Sequence, residues 1–82
     1  MNKHAPSKNF LRSEVTKALQ EYFSHIEDGS ISNLYQLVLA EVEAPLLEMV
    51  MRLTKGNQSK AAQWLGLNRG TLRKLLSKYQ LQ

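Results

Sequence analysis

Apolar residues recur at helical spacing along most of this chain, with polar residues between them. From residue 11 they lie at i, i+4, i+7, i+8, i+11, i+12 and i+15, which places them on one face of an α-helix. The residues on this face are Leu11, Val15, Ala18, Leu19, Tyr22, Phe23 and Ile26. Turn-forming residues at 27–30 indicate the end of the helix, and the polar residues 1–10 indicate a disordered arm before it.

The longest helical pattern extends from about residue 32 to residue 54 and has two apolar faces. The broader face consists of Tyr35, Val38, Leu39, Val42, Leu46, Met49, Val50 and Leu53. The narrower face consists of Leu37, Ala40, Ala44, Leu47 and Met51. Spacings of three and four residues, with alanines that allow close approach, are typical of a seam between two helices. We therefore predict that the narrower face is a dimer interface.

Two local features affect this long helix. Asn33 is expected to cap its first turn, with Gln36 at the reciprocal position. Pro45 removes a backbone donor and clashes with the preceding turn, so we expect a kink near residues 41–44. A break into two helices at this proline is the alternative interpretation.

Residues 58–78 predict two short helices joined by a tight turn. The apolar residues on the two sides of this turn are Ala61, Ala62, Leu65 and Leu67, and then Leu72, Leu75, Leu76 and Tyr79. Gly66 can adopt the left-handed conformation that reverses the chain, and Asn68 is expected to cap the second helix. Gly56 and Asn57 are expected to play the same two roles before the first short helix. The pattern is that of a helix-turn-helix.

Charge is distributed unevenly along the chain. Residues 1–54 contain all seven acidic residues and five basic ones, whereas residues 55–82 contain six basic residues and no acidic one. A carboxylate-free segment centred on a helix-turn-helix is typical of a protein that binds a polyanion. A solvated face that only increases solubility is the alternative, but it does not explain why acidic residues are absent.

Composition excludes several other functions. The chain of 82 residues has no cysteine, which excludes disulfides, thiolate metal sites and thiol nucleophiles. His4 and His25 have no triad or metal-ligand spacing around them, and no glycine-rich phosphate loop is present. We therefore expect no enzyme, no cofactor and no metal. No apolar run would span a membrane and no signal peptide is found, so we expect a cytoplasmic protein.

A dimer is the simplest way to cover both faces of the long helix. A chain of this length buries a small core and is marginally stable alone. The first helix has one apolar face to offer, and the helix-turn-helix must keep its basic side in water. Together they can cover one face of the long helix, and a second copy in a two-fold dimer covers the other. A monomer whose arm folds over the narrower face is the alternative.

Double-stranded DNA is the polyanion that the last helix fits best, because its polar residues project away from the leucine stripe. Arg69 and Asn68 stand at the N-terminal tip, where an arginine can donate two hydrogen bonds to guanine. Lys74 would reach a base edge or a phosphate. The residues expected at phosphates are Lys55, Asn57, Gln58, Ser59, Lys60 and Lys78. For Asn57 and Ser59, helix capping alone is the alternative.

Predictions also follow for three further residues in or near this helix. The missing side chain of Gly70 would let the helix tip approach the sugar-phosphate chain closely, with fraying of the first turn as the alternative. Trp64 and Tyr79 are expected in the core and not as platforms for base stacking. RNA is not expected as a ligand, because the major groove of an A-form helix is too narrow for an α-helix.

Two long runs of the sequence resemble the Fis family, the factors for inversion stimulation. The runs are LRSEVTKALQEYF and EVEAPLLEMVMRLTKGNQSKAAQWLGLNRGTLRKLLSKY, within residues 11–79. The PLL segment followed by GNQ, AA, LG and NRGTLRK is also similar to the C-terminal DNA-binding domains of sigma-54-dependent activators. The first half of the chain favours a free-standing protein of the Fis type.

The resemblance implies an all-α fold of four helices. The helices of residues 11–54 would form an intertwined homodimer core, and residues 55–82 would form the helix-turn-helix. Family members are nucleoid-associated transcription regulators, including activators, and they bend DNA because their recognition helices are closer together than successive major grooves. An A/T-rich centre of the site is then read by its shape. Candidate partners are double-stranded DNA, a second copy of the chain and RNA polymerase.

By position, the resemblance also assigns individual residues and marks two departures. Base contacts fall to Asn68, Arg69, Arg73 and Lys74, and backbone contacts to Asn57, Gln58, Ser59 and Thr71. The arm that contacts recombinases is longer in better-known members, so recombinase stimulation does not transfer. Leu75 and Ser77 stand where lysines are usual, which predicts weaker non-specific binding. An activator's DNA-binding domain and a helical protein-interaction module remain alternative functions.

Overall fold

The computed structural model of the chain describes residues 8–26 and 31–82, and these residues contain four α-helices and no β-strand. The helices are α1 (Lys8–Ser24), α2 (Leu34–Leu53), α3 (Gln58–Leu65) and α4 (Arg69–Lys78). They belong to two structural units: Met1–Ser32 contains α1, and Asn33–Gln82 contains the other three helices. The predicted all-α fold with a C-terminal helix-turn-helix is confirmed.

The first helix begins three residues before the predicted start at Leu11, so residues 8–10 are helical and are not part of an arm. The rest of the predicted arm and the predicted helix end at residues 27–30 lie outside the described residues. Most large apolar residues of α1 are exposed, with Leu11 at 66% and Phe23 at 44% of full accessibility, whereas Leu19 is half-buried. The apolar face of this helix is therefore largely exposed to solvent in the single chain.

The second helix is continuous from Leu34 to Leu53 with Pro45 inside it, so the alternative of a break at this proline is wrong. The predicted side-chain cap is wrong as well. Asn33 precedes the helix with a left-handed backbone (φ 57°) and makes no capping hydrogen bond through its side chain. An N-cap side chain reaches the backbone of the first turn from an extended conformation, which Asn33 does not have.

The two short helices are capped as the sequence predicts. Asn57 Oδ1 accepts a hydrogen bond from the backbone N–H of Lys60 at 3.0 Å. Gly66 ends α3 in the left-handed conformation (φ 73°), and the N–H of the following Leu67 donates to the carbonyl of Ala62 at 3.0 Å. This bonding satisfies carbonyls at the helix end that would otherwise lack a donor, and the left-handed turn favours glycine.

A small core holds α2, α3 and α4 together. Its buried residues are Leu47 and Val50 of α2, Ala61 and Ala62 of α3, and Leu72 and Leu76 of α4. The two alanines leave room for the helices to pack closely, and Leu72 and Leu76 are fully buried. Thr54 is buried next to this core, and its hydroxyl donates to the carbonyl of Val50 at 2.9 Å. The core fixes α4 on the scaffold and leaves its outer side free.

The structure corrects the predicted use of the two faces of α2. Leu47 is only 2% exposed and Met51 is half-buried against the same core, so the chain's own helices bury Leu47 and part of Met51. Ala40 and Ala44 are half-buried, and Leu37 is 48% exposed. The residues that pack on the helix-turn-helix come from both predicted faces, because Leu47, Val50 and Thr54 lie at i, i+3 and i+7 on one side of the helix.

The two aromatic residues predicted in the core differ from each other. Tyr79 is half-buried and packs against the core, as expected. Trp64 is 52% exposed, so its prediction is wrong. The ammonium of Lys60 lies 5.9 Å from the centroid of the Trp64 ring, which is within the range of a cation–π interaction. The tryptophan lies on the outer side of α3 because Ala61 and Ala62 occupy the inner side.

Candidate nucleic-acid interface

The last helix separates an apolar side from a basic side. Leu72 and Leu76 are fully buried, one turn apart on the inner side. The cations of α4 are all exposed on the other side, and they are Arg69, Arg73, Lys74 and Lys78. Long side chains at these positions can reach a surface some distance from the helix axis, so the basic side can enter a groove while the leucines remain in the core.

The tip of α4 is organised by Asn68. Its Oδ1 accepts a hydrogen bond from the backbone N–H of Thr71 at 2.7 Å, which holds the side chain in place. The amide nitrogen of Asn68 is the group left for an external acceptor. Arg69 follows directly, with an exposed guanidinium that can donate to two acceptors at once. The predicted base-contacting residues Asn68 and Arg69 are thus neighbours at the exposed end of the helix.

Gly70 lies in the first turn of α4, next to the capping asparagine. A Cβ added at this position would be 3.4 Å from Asn68 Oδ1, at the close end of ordinary van der Waals contact. The folded chain therefore has room for an alanine here. Space within the protein does not explain the glycine, which leaves close approach of an outside surface and fraying of the first turn as the two interpretations.

We expect Gly70→Ala to raise stability and to weaken DNA binding. Alanine is the better helix former, by up to about 1 kcal/mol, whereas its methyl group would meet an approaching sugar-phosphate chain. Thermal unfolding and duplex binding measure the two effects separately. Ser77→Ala is the matched control, because it improves helix propensity at an exposed position at the other end of α4. A Gly70→Ala variant that binds duplex as tightly as the wild type would favour the fraying interpretation.

The start of α3 forms a second polar group of residues. Ser59 is exposed and Gln58 is half-buried at the first turn, and the side chain of Asn57 caps this turn. Capping by Asn57 is therefore established, and it leaves the amide nitrogen of this side chain for a phosphate. Lys55, just before this turn, is exposed and has a left-handed backbone (φ 56°) although it is not glycine.

The electrostatics of this half of the chain are uniform in sign. Its six cations are not neutralised internally, since the salt bridges of the described residues are Lys17 with Glu14 and His25 with Glu21, all near α1. The exposed cations of residues 55–82 therefore add up to a positive field over the helix-turn-helix. A field of this kind attracts a polyanion.

A contact that sequence reasoning missed connects the end of α4 to α2. Tyr79 Oη donates a hydrogen bond to Glu43 Oε1 at 2.6 Å. This hydrogen bond, with smaller contributions from desolvation and from the charge of Glu43, raises the pKa of Tyr79 to about 12. The two residues are 36 positions apart, so no local pattern in the sequence could have paired them.

The raised pKa of Tyr79 predicts a loss of stability at alkaline pH. The protonated phenol is the form that the fold favours, so its contribution is complete below pH 10 and disappears as the pH rises from 10 towards 12. The difference in unfolding free energy between the wild type and Tyr79→Phe should therefore be constant below pH 10 and shrink above it. Urea unfolding of both proteins across this range is the measurement. A difference that does not change with pH would contradict the contact.

The described part of the chain has neither a cluster of metal ligands nor a membrane-spanning helix. No group of three or more His, Cys, Asp or Glu residues that could hold a metal ion occurs in residues 8–26 and 31–82. None of the described helices is both long enough and apolar enough to cross a membrane. The basic side of α4, the start of α3 and the turn before it are the surfaces of the helix-turn-helix that can meet a nucleic acid.

Comparisons with known proteins agree with this geometry. Residues 38–79 match the model of a family described as bacterial regulatory protein, Fis family. Over 71 residues the chain is 59% identical to a Fis-like DNA-binding protein of Pseudomonas aeruginosa, which covers 87% of this chain and 68% of that protein. Over 69 residues it is 58% identical to the DNA-binding protein Fis of Proteus mirabilis and equally to that of Sodalis glossinidius, which covers 84% of this chain and 70% of each relative.

Proposed function

The chain belongs to the Fis family of bacterial regulatory proteins, and from this premise we propose that it binds and bends double-stranded DNA as a homodimer. The observation that carries the proposal is the exposed basic side of α4, in a segment of six cations without a carboxylate. Relatives at 58% identity are named DNA-binding proteins, which supports the same ligand here. We place the protein at the nucleoid, as a regulator of transcription that has RNA polymerase as a candidate partner.

In the proposed complex, α4 enters the major groove by its N-terminal tip. Base contacts come from the four exposed residues Asn68, Arg69, Arg73 and Lys74. Arg69 donates two hydrogen bonds to O6 and N7 of a guanine, the most common specific contact in this groove. Contacts with the DNA backbone come from Lys55, Asn57, Gln58, Ser59, Lys60, Thr71 and Lys78.

The dimer contact that we propose uses the exposed apolar residues of α2. They lie at i, i+7, i+11, i+14 and i+18 on one side of the helix, and they are Tyr35, Val42, Leu46, Met49 and Leu53. This set replaces the narrower face predicted from the sequence, because Leu47 and Met51 are taken up by the intrachain core. A second copy of the chain is the proposed cover, since it would bring an identical apolar face and the exposed apolar side of α1.

Bending follows if the two recognition helices of the dimer are closer together than one turn of straight duplex. Both can then enter major grooves only when the DNA curves and the minor groove between them narrows. An A/T-rich centre narrows at lower energetic cost than a G/C-rich one. The base pairs at the centre of the site would therefore affect affinity without touching the protein.

Binding of labelled duplexes, followed by fluorescence anisotropy, tests the proposal. Two duplexes that differ only in their central base pairs, A/T or G/C, are compared at about 50 and about 200 mM salt. We expect tighter binding to the A/T-centred duplex and a fall in affinity of at least about a hundredfold between the two salt concentrations. If neither duplex binds in dilute buffer, the proposal is wrong and a protein-interaction module is favoured.

A DNA-binding domain of a sigma-54-type activator is a weaker alternative. The matches to named Fis proteins extend over 69 residues, well beyond the short segment of the helix-turn-helix. Similarity restricted to the helix-turn-helix would be expected if only the DNA-binding domain of another protein class were shared. The extended match supports a protein of the Fis type.

A further inference from the structure

One side-chain hydrogen bond distinguishes the end of α4 from the rest of the described structure. It joins the phenol of Tyr79 to the carboxylate of Glu43, which lies in the middle of α2. Within residues 8–26 and 31–82, the other hydrogen bonds between two side chains join neighbours three or four positions apart, in or just after α1. The Tyr79–Glu43 bond is therefore the long-range polar link of this part of the chain.

The geometry points to a positioning role for this bond: it sets the angle of α4 against α2, and thereby the distance between half-sites that the dimer accepts. The inference rests on the proposed function, because half-sites exist only if a dimer binds DNA. Tyr79 is the residue at the C-terminal end of α4, where its N–H donates to the carbonyl of Leu75 at 3.1 Å. Arg69 begins the same helix at its other end.

The apolar contacts of α4 do not determine its direction by themselves. Leu72 and Leu76 hold the middle of the helix in the core. The partly buried Leu75 also packs against this core. Burial of apolar surface is non-directional, so these contacts resist a small tilt of α4 less sharply than a directional bond does. A hydrogen bond depends steeply on distance and angle, and a bond to a charged acceptor is among the stronger ones. The bond at Tyr79 therefore limits the tilt that the leucines allow.

A small tilt is enough to matter for DNA. α4 has ten residues, so its length is about 15 Å. A tilt of about 10° about the middle of α4 moves the Arg69 end by about 1 Å. Opposite movements in the two protomers change the separation of the tips by about 2 to 3 Å, which is most of the spacing of about 3.4 Å between successive base pairs. The dimer would then accept a different half-site spacing.

The same bond also bears on a proposed phosphate contact. The ammonium of Lys78 lies 5.2 Å from the centroid of the Tyr79 ring. The position of the ring thus influences where this ammonium is held.

The test uses duplexes in which the distance between half-sites is one base pair shorter, unchanged or one base pair longer. We expect the wild type to bind the duplex of one spacing more tightly than the other two. In Tyr79→Phe and Glu43→Ala, the ratio of the affinities for the preferred and the other spacings should fall at least about threefold. Glu43→Gln is the matched control for Glu43→Ala. Both variants lose the negative charge, but the amide oxygen of glutamine still accepts a hydrogen bond from Tyr79. Glu43→Gln should therefore keep most of the preference.

Tyr22→Phe controls for the loss of a phenol as such. Tyr22 belongs to α1, where its ring packs edge-on against Phe23 with 5.9 Å between the centroids. This variant should keep the preference of the wild type. Circular dichroism and thermal melting establish that each variant is folded at the assay temperature. If Tyr79→Phe is not folded, the comparison of Glu43→Gln with Glu43→Ala tests the positioning role.

The outcomes separate this inference from the function on which it rests. A wild type that binds no duplex would remove the proposed function and the positioning role with it. A wild type that binds but has no preferred spacing, or a Tyr79→Phe variant with the wild-type preference, would overturn the positioning role alone. Loss of the preference in Tyr79→Phe and Glu43→Ala, with retention in Glu43→Gln and Tyr22→Phe, would support it.

Discussion

Arg69→Ala should remove the discrimination between guanine and other bases in each half-site. A bidentate pair between arginine and guanine is worth about 1 to 3 kcal/mol of discrimination, and a dimer would lose it twice. Arg69 is exposed at the tip of α4 and is not part of the core, so the variant should fold normally. The effect is therefore expected in recognition and not in stability.

Binding to a specific duplex and to a random duplex measures this loss. Arg69→Lys is the first control, since lysine keeps the charge but cannot donate in the planar geometry that guanine requires. It should lose most of the specificity and keep non-specific affinity. Lys78→Ala is the second control and should weaken binding to both duplexes alike. Equal losses on both duplexes for Arg69→Ala would contradict the assignment of this arginine to a base.

Leu46→Asp should separate the dimer and reduce DNA affinity by at least about a hundredfold. Leu46 is 49% exposed in the middle of the apolar set that we propose as the dimer contact. A carboxylate buried between two copies of α2 would be an unpaired charge, and the two copies would also repel each other. A single chain binds one half-site and loses the effective concentration that the second half-site provides.

Leu37→Asp is the matched control for this prediction. Leu37 is also on α2 and is 48% exposed, but it belongs to the narrower face that the sequence predicted as the interface. Sedimentation and duplex binding of the two variants therefore discriminate between the faces. Dissociation by Leu46→Asp and not by Leu37→Asp would support the set derived from exposure. The reverse result would restore the narrower face, and a wild type that sediments as one chain would remove the dimer.

Most of the helix-turn-helix could be predicted because local chemistry determines it. Asn57 and Asn68 cap their helices, and Gly66 reverses the chain in the left-handed conformation, as the residue types indicate. Leu72 and Leu76 of α4 are buried and its cations are exposed because the helical period separates them. Each of these features depends on residues within about one turn of each other.

The predictions that were wrong depend on contacts between helices. Asn33 has the residue type of a cap, but its backbone is left-handed and its side chain makes no capping bond. Trp64 is a large aromatic residue of the kind expected in a core, yet it lies on the outer side of α3. The sequence predicts Leu47 on the narrow face of a dimer contact, but it is buried in the chain's own core, and Met51 packs against that core. Periodicity shows which residues share a side of a helix and does not show what packs against that side.

The amino-acid sequence by itself determined the four helices, the turn between α3 and α4, and the separation of leucines from cations on α4. It did so because helical period, capping and left-handed glycine are properties of neighbouring residues. Only the tertiary structure decided which side of α2 receives the helix-turn-helix and that Tyr79 is bonded to Glu43. These outcomes depend on how three helices fill one core, and residues distant in the chain decide that together.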